Sequence, residues 1–493
     1  MYIKNKLLII AILILAGSNF VNAQQEFTMY YMPAIAQSTY LNSAAVPEYK
    51  FSISLPVPSV FAGFNNSALS VKELVDKDGV VDVNKFIKGL SENNNYVGMG
   101  ANVELLHIRF KVADNFFSFN TRLVSDVRFL YPKDLIAIAT KQDQGGYSFS
   151  GLGINATSYL EYGLGFTRAV PDSKWTYGGR AKLLNGIANI QTESSDLEIN
   201  IINDDIYQYE LDAKMKINAA LGVDPTKIDK LEDLNINSIS DARDVMKLNK
   251  GFAIDAGATY QFSDKLSFGV AINNLGFINW KSYVRNYNVE VNEIYEGVNL
   301  DEVPLNNSLD SLISVKTDSI FSGYADLIEE GIDTTNNAYS TWLPTNIFLS
   351  AHYQLTPRIR ASGSLYTEFF NGVSLGLVAG INYSVSKSFD ITTSWWWFRK
   401  SSANLGLGLV YKPGPVQFHL IMDNILPASF VKINDPELGI EGMLLPYQIK
   451  NFNLRFGVNL VFGRIKTESR LPNQGINKKK HGIRKNTYKP TLK

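Results

Sequence analysis

The chain has 493 residues, no cysteine, and equal numbers of basic and acidic residues (47 each), so its formal net charge is zero. A neutral chain lacks the basic surface that nucleic-acid binding requires. A chain without cysteine has no disulfide framework and no cysteine-ligated zinc or redox site. We therefore expect no nucleic-acid partner, no cofactor and no metal centre.

The first 23 residues have the pattern of a signal peptide. Lys4 and Lys6 precede an apolar run at residues 7–17, and the small residue Ala23 ends a cleavage motif. The run is shorter than the roughly 20 apolar residues of a transmembrane helix. We expect the chain to be exported and the mature chain to begin at Gln24.

Residues 24–49 are rich in tyrosine and methionine and lack a regular alternation of apolar and polar residues. The rest of the chain, up to about residue 463, does alternate. In residues 451–462, apolar side chains from Phe452 to Phe462 occupy every second position, and Asn, Arg and Gly occupy most of the others. Strands that cross a membrane show this period of two.

Alternation of this kind recurs in about 14 segments, which predicts an all-β fold, a transmembrane antiparallel β-barrel. If the last strand runs towards the periplasm, every short connection lies on the periplasmic side and every long one lies outside. The predicted organisation is a signal peptide (1–23), an N-terminal plug segment (24–49), the barrel (50–463) with extracellular insertions at 56–94, 191–250, 275–344 and 425–450, and a basic periplasmic tail (464–493).

Charged residues recur on the inward face of the predicted strands. They favour a lumen that is filled and held together by ion pairs, with a water-filled pore as the alternative. The candidate residues lining the lumen or plug are Tyr30, Tyr31, Tyr40, Arg358, Arg360, Glu368, His419, Asp423 and Arg455. The glycines of Leu-Gly-Leu-Gly-Leu at 405–409 also point inward, where they leave room for another part of the chain.

On the outward face, Trp395, Trp397 and Phe462 are expected to belong to an aromatic girdle at the membrane boundary. His419 and Asp423 share an inward face, but a catalytic set also needs a nucleophile within hydrogen-bonding reach. The sequence indicates no such set. We therefore expect a protein that is not an enzyme.

Three stretches resemble a known family: "LNSAAVPEYKFSISLPVPSVFAGFNNS" (41–67), "NNLGFINW" (273–280) and "LGLGLVYKPGPVQFHLIMDNI" (405–425). They look like exported outer-membrane barrels of Bacteroidota that are described as a domain of unknown function. More distantly, the chain resembles the PorV and PorP/SprF barrels of type IX secretion and the FadL-type transporters. The resemblance implies a FadL-like barrel of 14 strands with the N-terminus tucked inside.

Two functions follow as hypotheses, both in the outer membrane of a Gram-negative, Bacteroidota-like bacterium. The first is a non-enzymatic accessory barrel of secretion, motility or surface-protein assembly, which binds cell-envelope proteins through its extracellular loops or basic tail. The alternative is a FadL-like passive transporter of hydrophobic small molecules. In both, the outer-membrane lipid surrounds the barrel.

Overall fold

The structure is a computed structural model, and the part of the chain it describes leaves out the predicted signal peptide and all but the first two residues of the predicted tail. The described residues are 26–54, 59–66, 87–93, 95–137, 146–203, 208–221, 249–295, 332–370, 372–398, 401–425, 430–435, 440–446 and 451–465. Within these ranges, no helix is both long enough and apolar enough to span a membrane.

In the described part of the chain the helices are few and short, and residues 87–89 add a helical stretch to the three that follow. They are α1 (Phe27–Tyr30), a 3-10 helix (Ala36–Tyr40) and α2 (Asp134–Ala137). The strands are β1 (Tyr49–Ser54), β2 (Ser59–Asn66), β3 (Asn95–Val112), β4 (Asn115–Tyr131), β5 (Tyr147–Ser148), β6 (Gly153–Ala169), β7 (Trp175–Asn203), β8 (Gln208–Ala220), β9 (Lys250–Gln261), β10 (Leu266–Trp280), β11 (Val284–Tyr295), β12 (Ile332–Thr335), β13 (Tyr339–Trp342), β14 (Thr345–Thr356), β15 (Ile359–Phe369), β16 (Val373–Ser384), β17 (Phe389–Phe398), β18 (Ser401–Tyr411), β19 (Val416–Asp423), β20 (Phe430–Asp435), β21 (Ile440–Pro446) and β22 (Asn451–Arg464).

The predicted barrel of 14 antiparallel strands is confirmed. β1 and β2 both lie between β3 and β22 and together form one wall strand. From there the wall continues through β3, β4, β6, β7, β9, β10, β14, β15, β16, β17, β18, β19 and β22. Because β22 pairs with β19 on one side and with β1 and β2 on the other, the wall closes on itself and has no open edge.

Several segments that were expected to be insertions contain strands. β2 lies in the first of them and is part of the wall. β7 continues past its pairing with β6 and pairs with β8. β8 pairs with β11, and β11 pairs with β12. We call β8, β11, β12 and the part of β7 that pairs with β8 the outer sheet. β20 and β21 form a separate two-stranded sheet inside the last predicted insertion.

The outward face of the wall is apolar. Leu349, Leu365 and Leu377 lie side by side on three adjacent strands and are 51%, 54% and 46% exposed. Trp395 and Trp397 are exposed on this face, as is Phe462 near the end of β22, while Trp396 is completely buried. A soluble protein does not expose such a continuous apolar surface, whereas hydrocarbon covers it in a membrane.

Placing a charge on this face is expected to destabilise the folded barrel in a bilayer. Leu365→Arg, near the middle of β15, should lower the free energy of unfolding by about 2–4 kcal/mol in urea titrations of the reconstituted protein. Ile294→Arg, at an equally exposed position on β11 of the outer sheet, is the matched control and should change it by less than about 0.5 kcal/mol. Equal effects at both positions would show that the wall does not face hydrocarbon.

Candidate functional site

Residues 26–48, which we call the N-terminal segment, lie against the inward-facing side chains of the wall. α1, the 3-10 helix and the turns around them are almost entirely buried. The segment contacts separate parts of the wall, because Tyr31 bonds to Ser364 of β15 while Arg180 of β7 donates to the carbonyl of Tyr40. The described lumen is therefore occupied by the chain itself.

The start of the segment is held by charged and polar contacts. Glu26 forms an ion pair with Arg455 of β22, in which Nη2 lies 3.0 Å from Oε2. Asp423 of β19 accepts hydrogen bonds from the backbone N–H (3.2 Å) and the hydroxyl of Thr28. Thr28 also shares a hydrogen bond with Ser394 of β17 (2.6 Å). Because both side chains of the ion pair are buried, losing either one would leave an uncompensated charge.

On the side formed by β14 to β18, the lumen is apolar and aromatic. The ring of Phe27 lies 4.9 Å from that of Tyr366 and 5.1 Å from that of Trp396. Tyr30 stacks on Phe348 at 4.3 Å and shares a hydrogen bond with Ser350 (2.9 Å). Here the N-terminal segment covers the apolar inward surface of β14 to β18 with its own aromatic side chains.

Tyr31 belongs to the same cluster. Its hydroxyl donates to Ser364 Oγ (2.8 Å), and its ring covers the inward face of Gly380. On the adjoining wall, Met29 and Met32 of the segment pack with Val410 and Ile421.

On the other side of the lumen, Tyr40 sits within a network of ions. Its ring lies between the guanidinium groups of Arg122 (4.5 Å) and Arg180 (4.7 Å), and its hydroxyl donates to Glu104. Arg122 is paired with Glu161 at 2.8 Å. The network continues through Asp255, which pairs with Arg180 (2.6 Å) and Lys182 (2.7 Å). These buried charges compensate one another, as buried charges must.

Inward glycines make room for the segment. A Cβ atom at Gly406 would overlap Thr28, and one at Gly408 would overlap Met32. The sequence predicted that these two glycines leave space for another part of the chain, and the structure puts the N-terminal segment there.

The remaining predicted lumen residues lie at separate places on the wall and do not form one cluster. Glu368 is buried, accepts a hydrogen bond from Tyr366 (3.0 Å) and lies 3.7 Å from Arg128. Arg360 is half-buried and donates to Gln354 (3.1 Å). His419 is buried beside Gly457, and neither ring nitrogen has a hydrogen-bond partner within the described residues.

For Arg358 the prediction of a lumen position is wrong. This residue lies exposed in the tight turn between β14 and β15. The strand alternation that placed it inside does not extend through the turn, so its side chain is free to reach solvent.

Sequence reasoning missed the partners that the N-terminal segment itself supplies. Glu26 is the only charged residue between Gln24 and Pro47, and this isolation was the available signal that it pairs inside the barrel. Gln37 was also missed; it donates to both Glu104 (3.0 Å) and Asn459 (2.9 Å).

A separate apolar pocket of about 470 Å³ lies on the outer sheet, away from the lumen. Its lining includes Leu197 of β7, Met215 of β8 and Val289 of β11. Among the residues that the structure describes, no cluster of three or more His, Asp or Glu side chains is placed to hold a metal ion.

The closed wall with a chain segment in its lumen defines a β-barrel protein. The chain belongs to the Family of unknown function (DUF5723), whose model matches residues 44–423. No curated protein matches the chain.

Among solved structures, the chain is similar at low identity to three proteins from other bacteria. They are the toluene transporter TbuX of Ralstonia pickettii (8% identity over 90% of this chain and 96% of that chain, TM-score 0.39), a FadL homologue of Pseudomonas aeruginosa (10%, 89% and 98%, TM-score 0.38) and the toluene transporter TodX of Pseudomonas putida (7%, 85% and 89%, TM-score 0.33).

Adding a methyl group at Gly406 is expected to loosen the N-terminal segment. Gly406→Ala should lower the free energy of unfolding by about 1–3 kcal/mol and make residues 26–48 cleavable by protease in the folded barrel. Gly363→Ala is the matched control, because a Cβ atom there meets only one atom, 4.0 Å away. Equal protection of the segment in both variants would contradict the packing described here.

The segment should also be sensitive to alkali. Burial raises the pKa of Tyr30 from 10.0 to about 12, although its hydrogen bond to Ser350 acts in the opposite direction. The neutral phenol therefore stabilises the fold fully below the unfolded pKa, and this contribution is lost as the pH rises from about 10 towards 12. Thermal unfolding across this range should show a smaller loss for Tyr30→Phe than for the wild type, and equal losses in the two proteins would contradict the prediction.

Proposed function

We propose that this protein is an outer-membrane barrel through which hydrophobic small molecules pass, and that the N-terminal segment closes the lumen until it is displaced. The apolar wall, with its exposed leucines and tryptophans, supports a membrane location. The predicted signal peptide, which lies outside the described residues, supports export to the outer membrane.

The observation that carries the proposal is the apolar half of the lumen. A barrel that conducts water and ions has a polar interior. Here Phe348, Tyr366, Trp396 and Phe398 form a buried inward-facing surface, which Phe27 of the segment covers with its ring. Displacing the segment would expose a path that suits apolar molecules and offers little to hydrated ones.

The way the segment is attached supports the idea that it moves. One ion pair and a small number of hydrogen bonds join it to the wall at its start, and no described wall strand pairs with it. The gate therefore opens by breaking side-chain contacts, while the backbone ladder of the barrel stays whole. In this proposal the candidate residues Tyr30, Tyr31 and Tyr40 seal the lumen and line it.

The accessory role in secretion or motility remains a hypothesis from the sequence. Much of the acidic insertions and nearly all of the basic tail on which it rests lie outside the described residues. The lumen contacts that dominate the described part favour transport.

The chain has no cysteine, so an engineered disulfide bond between the segment and the wall tests the proposal directly. The hydroxyls of Thr28 and Ser394 lie 2.6 Å apart, so T28C/S394C should form a disulfide that ties the segment to the wall. Passage of an aromatic hydrocarbon and of a long-chain fatty acid into proteoliposomes should stop in the oxidised variant and return on reduction.

The matched control is S125C/S158C, which bridges two wall strands whose hydroxyls lie 2.9 Å apart. This disulfide leaves the N-terminal segment free, so passage should persist when it is oxidised. Undiminished passage through oxidised T28C/S394C would rule out a route that needs the segment to move.

A further inference from the structure

We propose that one side of the barrel carries a binding site for an anionic phospholipid headgroup, at the end where the wall strands are joined by short turns. The site consists of Lys50 at the start of β1, Arg358 in the β14–β15 turn, Lys387 in the β16–β17 turn and Arg464 at the end of β22. It goes beyond the proposed transport function and shares with it only the membrane location.

The four cations lie on turns and strand ends that contact one another. The backbone N–H of Ser384, at the end of β16, donates to the carbonyl of Arg358 (2.9 Å), which joins the β14–β15 turn to the start of the β16–β17 turn. Arg464 donates to the carbonyl of Lys387 (3.1 Å), which joins the second turn to the end of β22. The side chain of Lys50 lies against Gly463, next to Arg464. Together these contacts make one continuous basic edge.

This edge carries more positive than negative charge. All four cations are exposed. Glu48 pairs with Arg464 at 3.1 Å, but it also lies 3.5 Å from the buried Lys412. The second neighbouring carboxylate, Asp390, is buried and held by Lys412 at 2.8 Å.

The opposite side of the same end is balanced by comparison. The strand ends and turns there carry Lys111 with Asp114, Arg168 and Lys174 with Asp172, and Lys265 with Asp264, which is four cations against three carboxylates. Each of these turns thus supplies a carboxylate next to its own cation. The excess positive charge is therefore concentrated on the edge between β14 and β1, where, among the described residues, four exposed cations have only Glu48 beside them and Glu48 is shared with Lys412. This concentration indicates a local site.

The position of the edge identifies the partner. Exposed aromatic side chains lie next to it on the outward face: Tyr383 near the end of β16, Tyr411 at the end of β18 and Phe462 on β22. Aromatic residues mark the boundary between hydrocarbon and headgroups. Cations just beyond that boundary are at the level of lipid phosphates, so a phospholipid can place its headgroup on the edge and its acyl chains along the aromatic rings.

Native mass spectrometry of the full chain tests the assignment. The protein is reconstituted in equimolar phosphatidylglycerol and phosphatidylcholine, extracted gently, and the lipids it retains are counted. The wild type should retain phosphatidylglycerol preferentially. K50Q/R358Q/K387Q, which leaves the structural contacts of Arg464 in place, should lose this preference by about fivefold or more.

The matched control, K111Q/K174Q/K265Q, removes the same number of cations from the balanced side and should retain phosphatidylglycerol as the wild type does. Equal retention of the two lipids by the wild type, or an equal loss in both variants, would overturn the proposed site. An acidic protein that binds the basic edge in a barrel without lipid preference would also overturn it. The fraction of protein that enters the bilayer is measured separately, and failure to enter it counts against the membrane location. The transport test described above does not depend on lipid preference, so the two proposals can fail independently.

Discussion

The fold depends on the ladder that joins β22 to β1 and β2. Tyr49 lies opposite Arg464 and Val60 lies opposite Phe456, so the last strand of the wall pairs with the first. This ladder removes the two edges that the wall would otherwise have and pairs their backbone N–H and C=O groups. Once the sheet is closed, every strand must divide its side chains between an apolar outside and an enclosed inside.

The inward-facing side chains of the wall then determine which residue types fit in the N-terminal segment. Towards β4, β6 and β7 the wall presents paired charges, and the segment offers Tyr40, which can lie between two guanidinium groups and still donate to Glu104. Towards β14 to β18 the wall presents rings, and the segment offers Phe27 and Tyr30. One short stretch of chain thus matches two very different surfaces, and this match is what fills the lumen.

Sequence reasoning succeeded where a rule of period two applies. The strand count, the outward tryptophans at 395 and 397, and the role of the glycines at 406 and 408 all follow from alternation. It failed within the predicted insertions: residues 191–250 were expected to form an extracellular insertion, and the far part of β7 and all of β8 instead build the outer sheet. It could not pair Glu26 with Arg455, because their contact depends on the register of the whole barrel.

The position of the N-terminal segment also links its docking to the closure of the wall. The segment directly precedes β1, whose partner β22 comes near the far end of the sequence, so the closing ladder joins the most distant parts of the wall and carries the largest loop-closure entropy. The segment's Glu26 pairs with Arg455 of that same strand β22. The ladder that closes the wall therefore also brings the two partners of this ion pair together, so closure of the wall and docking of the segment favour each other.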